Sequence, residues 1–434
     1  YGGVAQCYSS GSVSGRSEVG GLVGHNGYYC QVTNCWSNVS VSGHAWVGGL
    51  VGYNYYGAVT QCYSTSTVAD TQYGSDGGLV GSNRDGTVTA SFWDIETSGQ
   101  ATSAGGTGKT TTEMKNIQTY RDAGWDFIGE IEDGLHEIWK MPEEGGYPVL
   151  AIFNGYIPPQ LQGVGTAENP YLISNAMELG AMAYYYSPRA NYRLSASIDL
   201  LGVLWDTGVV PWFYGTFDGD GHVISHLTIA GSDYVGLFGR LYGKVVNLGV
   251  VDVNVVGSGD YVGGLVGENS YGTVADCYST GSVIAVSDVG GLVGYNNDGK
   301  VTQCYSTVTV IGTGWSVGGL VGYSEGAVTQ CYSNGVVSGR GSIGGLVGSN
   351  RSYYDEATVI QCYSTGAVSG SSDVGGLVGW NDGIVTQCYS AGAVGANDRV
   401  GGVVGSNGGR YAPSWEWVIG IVSNCFWDIQ TSGQ

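Results

Sequence analysis

Basic side chains are the scarcest ingredient of this chain: 15 Lys and Arg stand against 36 Asp and Glu, a formal charge of -21 over 434 residues. A Lys/Arg-rich groove cannot be assembled from so few cations, which excludes nucleic acid as a partner. Proline (8), histidine (5) and methionine (4) are also sparse. No run approaches the roughly 20 apolar residues that cross a bilayer, so no transmembrane segment is expected. Charged residues make up only 12% of the chain while 42% is hydrophobic, a balance that excludes a disordered acidic tail. The abundant residue is glycine, at 79 positions. Each glycine inside a helix costs about 1 kcal/mol, so stacked helical hairpins are a poor reading.

The glycines are periodic. A core Gly-Gly-Leu/Val-Val-Gly begins at Gly20, Gly48, Gly77, Gly263, Gly290, Gly318, Gly344, Gly375 and Gly401, with spacings of 26 to 31 within each run, and a degenerate copy starts at Val235. Between cores lies a block such as Gly299 to Val310, GKVTQCYSTVTV, where Val, Thr and Ser recur at strand spacing between turn residues. A unit this small cannot bury a core alone. Stacking on like neighbours satisfies both its apolar side chains and its strand edges. The expected fold is all-β: a parallel β-solenoid of repeats of about 27 residues, with a small helical cap and a small α/β insert.

Each block carries Cys followed by an aromatic, and neighbours in a strand face opposite sides. The ladder Cys277, Cys304, Cys331, Cys362 and Cys388 is therefore placed inside, and Tyr278, Tyr305, Tyr332, Tyr363 and Tyr389 outside. Stacked parallel thiols do not reach the near-perpendicular torsion of a disulfide, so the cysteines are expected reduced. In Val262-Gly263-Gly264-Leu265-Val266, strict alternation exposes one aliphatic set. Leu265, Leu292, Leu320, Leu346 and Leu377 are thus expected to form an apolar stripe for assembly, unless a bend at Gly263-Gly264 turns them inward.

VGGLVGYN, the VTQCYST blocks and FDGDGHVISHL resemble the GLUG-repeat segments of large bacterial surface proteins, which also occur beside the catalytic region of streptococcal immunoglobulin-A proteases. The resemblance covers residues 1–100 and about 214–434. It implies bacterial origin, export and a β-solenoid, and supplies no catalytic site. The domains expected are the end of a first solenoid (1–100), a linker and small insert (101–160), a helix-bearing N-terminal cap (161–213) and a second solenoid (214–434). SFWDIETSGQ and CFWDIQTSGQ, ending at Gln100 and Gln434, read as terminal coils whose aromatics cover an open end. Residues 101–434 are expected to form one unit, insert plus solenoid. Because YGGVAQCYSS falls mid-repeat, the chain reads as part of a longer precursor.

Other motifs point to less. GGTGKTT (Gly105 to Thr111) lacks the first glycine of a phosphate loop, having Ser103 there, and reads as a linker with Thr110 and Glu113 as a capping box. HEIWK, from His136, lacks the second histidine of a zinc protease. Asp218 and Asp220 could ligate calcium weakly but lack a distal Glu, so a turn is favoured and no other cofactor is expected. Asn38 and Asn350 open formal glycosylation sequons. The functional reading is an extracellular structural protein that forms a stalk or filament by self-association with identical units. The alternative is an adhesin whose aromatics hold surface glycans, and a solenoid-type polysaccharide-degrading enzyme ranks third.

Overall fold

The structure, a computed structural model, describes residues 2–69, 75–185, 189–351, 357–411 and 417–428. Tyr1, Ser352 of the second sequon and the final TSGQ lie outside them. The chain forms two compact units, residues 1–133 with 137–157, and 134–136 with 158–434.

The second unit is a parallel β-solenoid. Its strands stack into sheets of ten, fifteen, eight and six members, each coil contributing to every sheet along the GLUG region. Register is kept from coil to coil: Val274 lies opposite Val301, Val301 opposite Val328, and Val328 opposite Val359. A coil is cut into several short strands, because it turns sharply at residues with left-handed backbone. One corner is the residue before each ladder cysteine, such as Gln303, Gln330 and Gln361 at φ 53 to 55°. The other lies two residues before the Gly-Gly pair, at Tyr261, Asp288, Ser316, Ser342, Asp373 and Arg399. Each such corner costs roughly 1–2 kcal/mol for a non-glycine residue, which the ladders on either side must offset.

The Gly-Gly pair is a third bend. The strand Val262–Gly263 stops there and the next starts at Val266, with Gly264 and Leu265 between them. The bend turns both aliphatic sets inward, so Val262, Leu265 and Val266 are all 0% exposed. This overturns the exposed stripe: Leu265, Leu292, Leu320, Leu346 and Leu377 are all fully buried in one continuous core. Glycine is required because coils nearly touch here. A methyl group on Gly291 would stand 2.3 Å from the Gly319 carbonyl oxygen of the next coil.

The N-terminal cap of this unit begins with Tyr171–Ile173 and a short helix, Ala176–Gly180, whose N-cap Asn175 accepts from the Glu178 amide. Leu179 and Met182 enter the core while Met177 faces solvent.

The first unit repeats the solenoid over three GLUG cores and includes the 101–157 segment except 134–136. The insert thus belongs with the solenoid before it, not with the one after it. It holds two short helices, Thr111–Met114 and Ile117–Arg121, and the first carries the Thr110–Glu113 capping box. Thr107–Lys109 adds to the terminal strand as a further parallel neighbour, Phe92 opposite Thr107 and Trp93 opposite Gly108. Tyr120, Trp125, Phe127 and Trp139 then form a buried aromatic layer, with Tyr63 and Phe92 in contact with it.

Candidate functional site

The coils present three rows of side chains with chemistry. The inner row is the cysteine ladder, where Cys277, Cys304, Cys331, Cys362 and Cys388 are each 1% exposed. Each thiol donates to the carbonyl two residues earlier, as Cys304 does to Thr302 at 3.1 Å, and Cys331, Cys362 and Cys388 each accept from the amide of the preceding rung at 3.4 Å. Burial, reinforced by the neighbouring thiols, pushes Cys304, Cys331 and Cys362 above the ordinary thiol range. Thiols so placed are structural spacers without nucleophilic character. All ten cysteines are unbridged.

The outer row is the tyrosine column. Tyr278, Tyr305, Tyr332, Tyr363 and Tyr389 stack at 4.8 to 4.9 Å with their planes within 3° of parallel. Each inner ring therefore uses both faces on its neighbours. What remains for a ligand is a strip of ring edges and hydroxyls, whereas a sugar stacks on an aromatic face.

The third row escaped the sequence reading. The residue two before Gly-Gly sits beside the third residue of the following VGxN strand on a neighbouring coil, and the two positions form a half-buried seam. The Arg240 guanidinium lies 3.6 Å over the Tyr234 ring and 3.2 Å from Glu268. Ser316 and Ser349 hydroxyls are 3.0 Å apart. Asp373 is held by Arg399 through two hydrogen bonds, which keep its carboxyl below the ordinary range. Asp288 sits in the same seam, where burial, with the Asp260 and Glu325 carboxylates adding, pushes its pKa up to about 7. The available signal was that these two positions vary in character while their neighbours repeat.

Other sequence candidates resolve into structure. Asp218 Oδ1 accepts from the Asp220 amide at 2.9 Å and from Asn247 Nδ2 at 3.0 Å, so the pair shapes a turn. No group of three or more His, Cys, Asp or Glu gathers as for a metal among the described residues. His136 Nε2 lies 2.8 Å from the Val209 carbonyl, and burial lowers its pKa.

The terminal coil of the first unit is a built junction. Trp93 is 6% and Phe92 7% exposed, beneath the GGTGK segment and the aromatic layer. Asp94 is the anchor: Oδ1 accepts from the Glu96 and Thr97 amides, and Oδ2 accepts from the Thr111 hydroxyl at 2.7 Å and the Tyr147 hydroxyl at 2.6 Å. Burial alone would raise its pKa, but these four donors outweigh it and hold the carboxyl below the ordinary range. Tyr8, Trp36, Val149, Leu150, Phe153 and Asn154 line a cavity of about 230 Å³ beside this layer.

The repeat whose ladders and bends are described above matches the family described as the GLUG motif at residues 15–42, 47–69, 258–284 and 285–311. The chain carries GLUG repeats. It is 35% identical over 159 residues to halomucin of Haloquadratum walsbyi, which covers 32% of this chain and 2% of that protein. It is 35% identical over 127 residues to a candidate Gly-rich membrane protein of Evansella cellulosilytica, covering 26% of this chain and 14% of that one. The GLUG-repeat chain thus spans a small part of the length of the relatives it matches. Among solved structures, a candidate immunoglobulin A1 protease from Bacteroides ovatus shares its fold with TM-score 0.50 at 24% identity, over 61% of this chain and 86% of that one. No described helix is long and apolar enough to cross a membrane.

Proposed function

We propose that this GLUG-repeat chain is an extracellular structural protein that forms a rigid stalk or filament on or outside a bacterial cell. The observation that carries the reading is one sheet of its second unit, which keeps its register through ten parallel strands from Tyr171–Ile173 to Ile421–Ser423. Successive coils are tied by backbone ladders, and from Tyr278 to Tyr389 also by the stacked tyrosines; an amide ladder, interrupted at Ser324, adds Asn350 donating to Asn381 and Asn381 to Asn407, each at 2.8 Å. Side chains that repeat in this way spend their bonding capacity on adjacent coils. The names of the relatives, halomucin and a Gly-rich membrane protein, accord with a surface role.

A catalytic reading has less support. Glu268 and Asp373 in the seam, with Asp382 bonded to the seam residue Trp380, face Arg240, Arg399 and Arg351, so they are neutralised in place and, unlike Asp288, are not available as an acid or base. Glycan binding retains one observation in its favour, the exposed rings of Tyr8 and Phe153 at the 230 Å³ cavity. Electron microscopy of native material tests the main reading. Fibres of one solenoid's width support it, and dispersed particles that bind immobilised glycans would favour the adhesin.

A further inference from the structure

The two terminal-coil motifs, residues 91–100 and 425–434, differ at two of ten positions. Their tryptophans are placed alike. Inner coils carry a small Ser next to the ladder aromatic, packed on the second glycine of the core, as Ser306 is on Gly291. In the terminal coils Trp takes that place: a methyl on Gly78 would meet Trp93 at 2.0 Å, and one on Gly402 would meet Trp427 at 2.4 Å. The surroundings then diverge. Phe92 and Trp93 are buried beneath the segment that follows them, whereas Phe426 is 72% and Trp427 42% exposed, and Tyr389 on the coil below is 45% exposed. Phe426–Trp427 is also an edge strand of its sheet, with Tyr389–Ser390 as its one neighbour among the described residues.

We propose that the terminal coil of the second unit is a receptor for a polypeptide segment built like residues 101–157. The first unit supplies the template for the occupant. A glycine-rich strand adds to the edge, then a Thr–aromatic layer covers the rings. The glycines are selective, since methyl groups at Gly105, Gly106 and Gly108 would come within 2.6 to 2.8 Å of Val88, Leu79, and Ile95 and Trp93. Thr111 and Tyr147 converge on Asp94, whose counterpart is Asp428. Tyr120 and Trp125 meet Phe92 at 5.6 and 6.1 Å between ring centroids, so the same pair would cover Phe426. The motif that mimics a phosphate loop is, on this account, a docking sequence for the end of a solenoid. A glycan fits less well, because the open edge of a sheet is best satisfied by another strand. This proposal stands apart from the stalk or filament reading and survives its failure.

The test adds a synthetic peptide of residues 101–157 to the intact chain and follows binding by fluorescence anisotropy and hydrogen exchange. Saturable binding at one peptide per chain is expected, with slowed exchange at Phe426, Trp427 and their neighbours. Binding should weaken at least tenfold with Trp427→Ala, an exposed position whose loss leaves the core intact. It should weaken similarly with a Gly106→Val, Gly108→Val peptide, a change that leaves the receptor untouched. Absent binding, binding indifferent to both changes, protection confined to residues 75–109 through exchange with the resident segment, or an end-to-end dimer of chains that excludes the peptide would each overturn the proposal.

Discussion

Replacing Gly291 by Ala puts the close approach of coils to a quantitative test. The added methyl would stand 2.3 Å from the Gly319 carbonyl oxygen and 2.2 Å from Ser306 Oγ, whereas ordinary contact begins at 3.4 Å. The hydroxyl can rotate away, but the carbonyl is main chain, so the next coil has to retreat by about 1 Å. Three ladder bonds bracket that point: the Gly291 amide to Gly318 at 3.3 Å, and the Leu292 and Val293 amides to Leu320 at 3.0 Å. A 1 Å retreat stretches all three beyond hydrogen-bond range, and each is worth about 1 kcal/mol net. The expected cost is therefore about 1–3 kcal/mol, in line with overpacking elsewhere. Gly395→Ala is the control, since a methyl there meets nothing within 4 Å, and removing a glycine where space allows is neutral or mildly stabilising. Repeat arrays do not unfold in one step, so amide exchange read coil by coil is the assay. Gly291→Ala should speed exchange roughly 5- to 150-fold in the coils from Val289 to Val321, the same free-energy range expressed as a rate. Equal protection in the two variants would refute the steric argument.

Leu320→Ser should destabilise its coil by at least about 2–5 kcal/mol, the range for emptying a buried leucine site, seen as lost β-structure or a lowered melting temperature; a fully folded variant that merely fails to assemble would restore the exposed stripe. Native thiol labelling should spare the seven buried cysteines and reach Cys7, Cys30 and Cys425, whereas denatured, non-reduced protein should titrate all ten; four or five disulfides by mass spectrometry would contradict the ladder. Because the pKa of Asp288 is about 7 folded against 3.8 ordinarily, the native state holds this proton more tightly than the unfolded chain. Its contribution to stability is thus full below about pH 4 and falls as pH rises to about 7, by at most about 4 kcal/mol. Asp288→Asn should flatten that part of the coil's pH profile, read by denaturant melts, and an unchanged slope would place the group in water.

Much of this was legible from period and alternation. Cys-Tyr adjacency in a strand, with one side chain inside and its neighbour outside, is enough to place both ladders, and Asn after the GLUG core is enough to suggest the amide ladder. Alternation failed at Gly263-Gly264 because the chain bends there, and a bend lets Leu265 and Val266 share one side. Backbone conformation at most non-glycine corners is equally invisible, since Gln303 and Ser316, unlike Asp288, carry no left-handed preference in their identity. The seam follows from those corners, which explains why it went unseen. The insert was assigned forward because the chain restarts after it. Its allegiance rests on contacts of Tyr120, Trp125 and Tyr147 with residues 63 to 94, which no local pattern announces. The matching motifs at Gln100 and Gln434 suggested closed ends in both units, but Phe92 is covered by the segment that follows it while Phe426 stays exposed.

Diffraction from oriented native fibres would test the central claim most directly. If solenoid coils stack along the filament, a strong reflection near 4.8 Å, the spacing between neighbouring strands, should lie on the meridian. The same reflection on the equator, or fibres without it, would contradict the account.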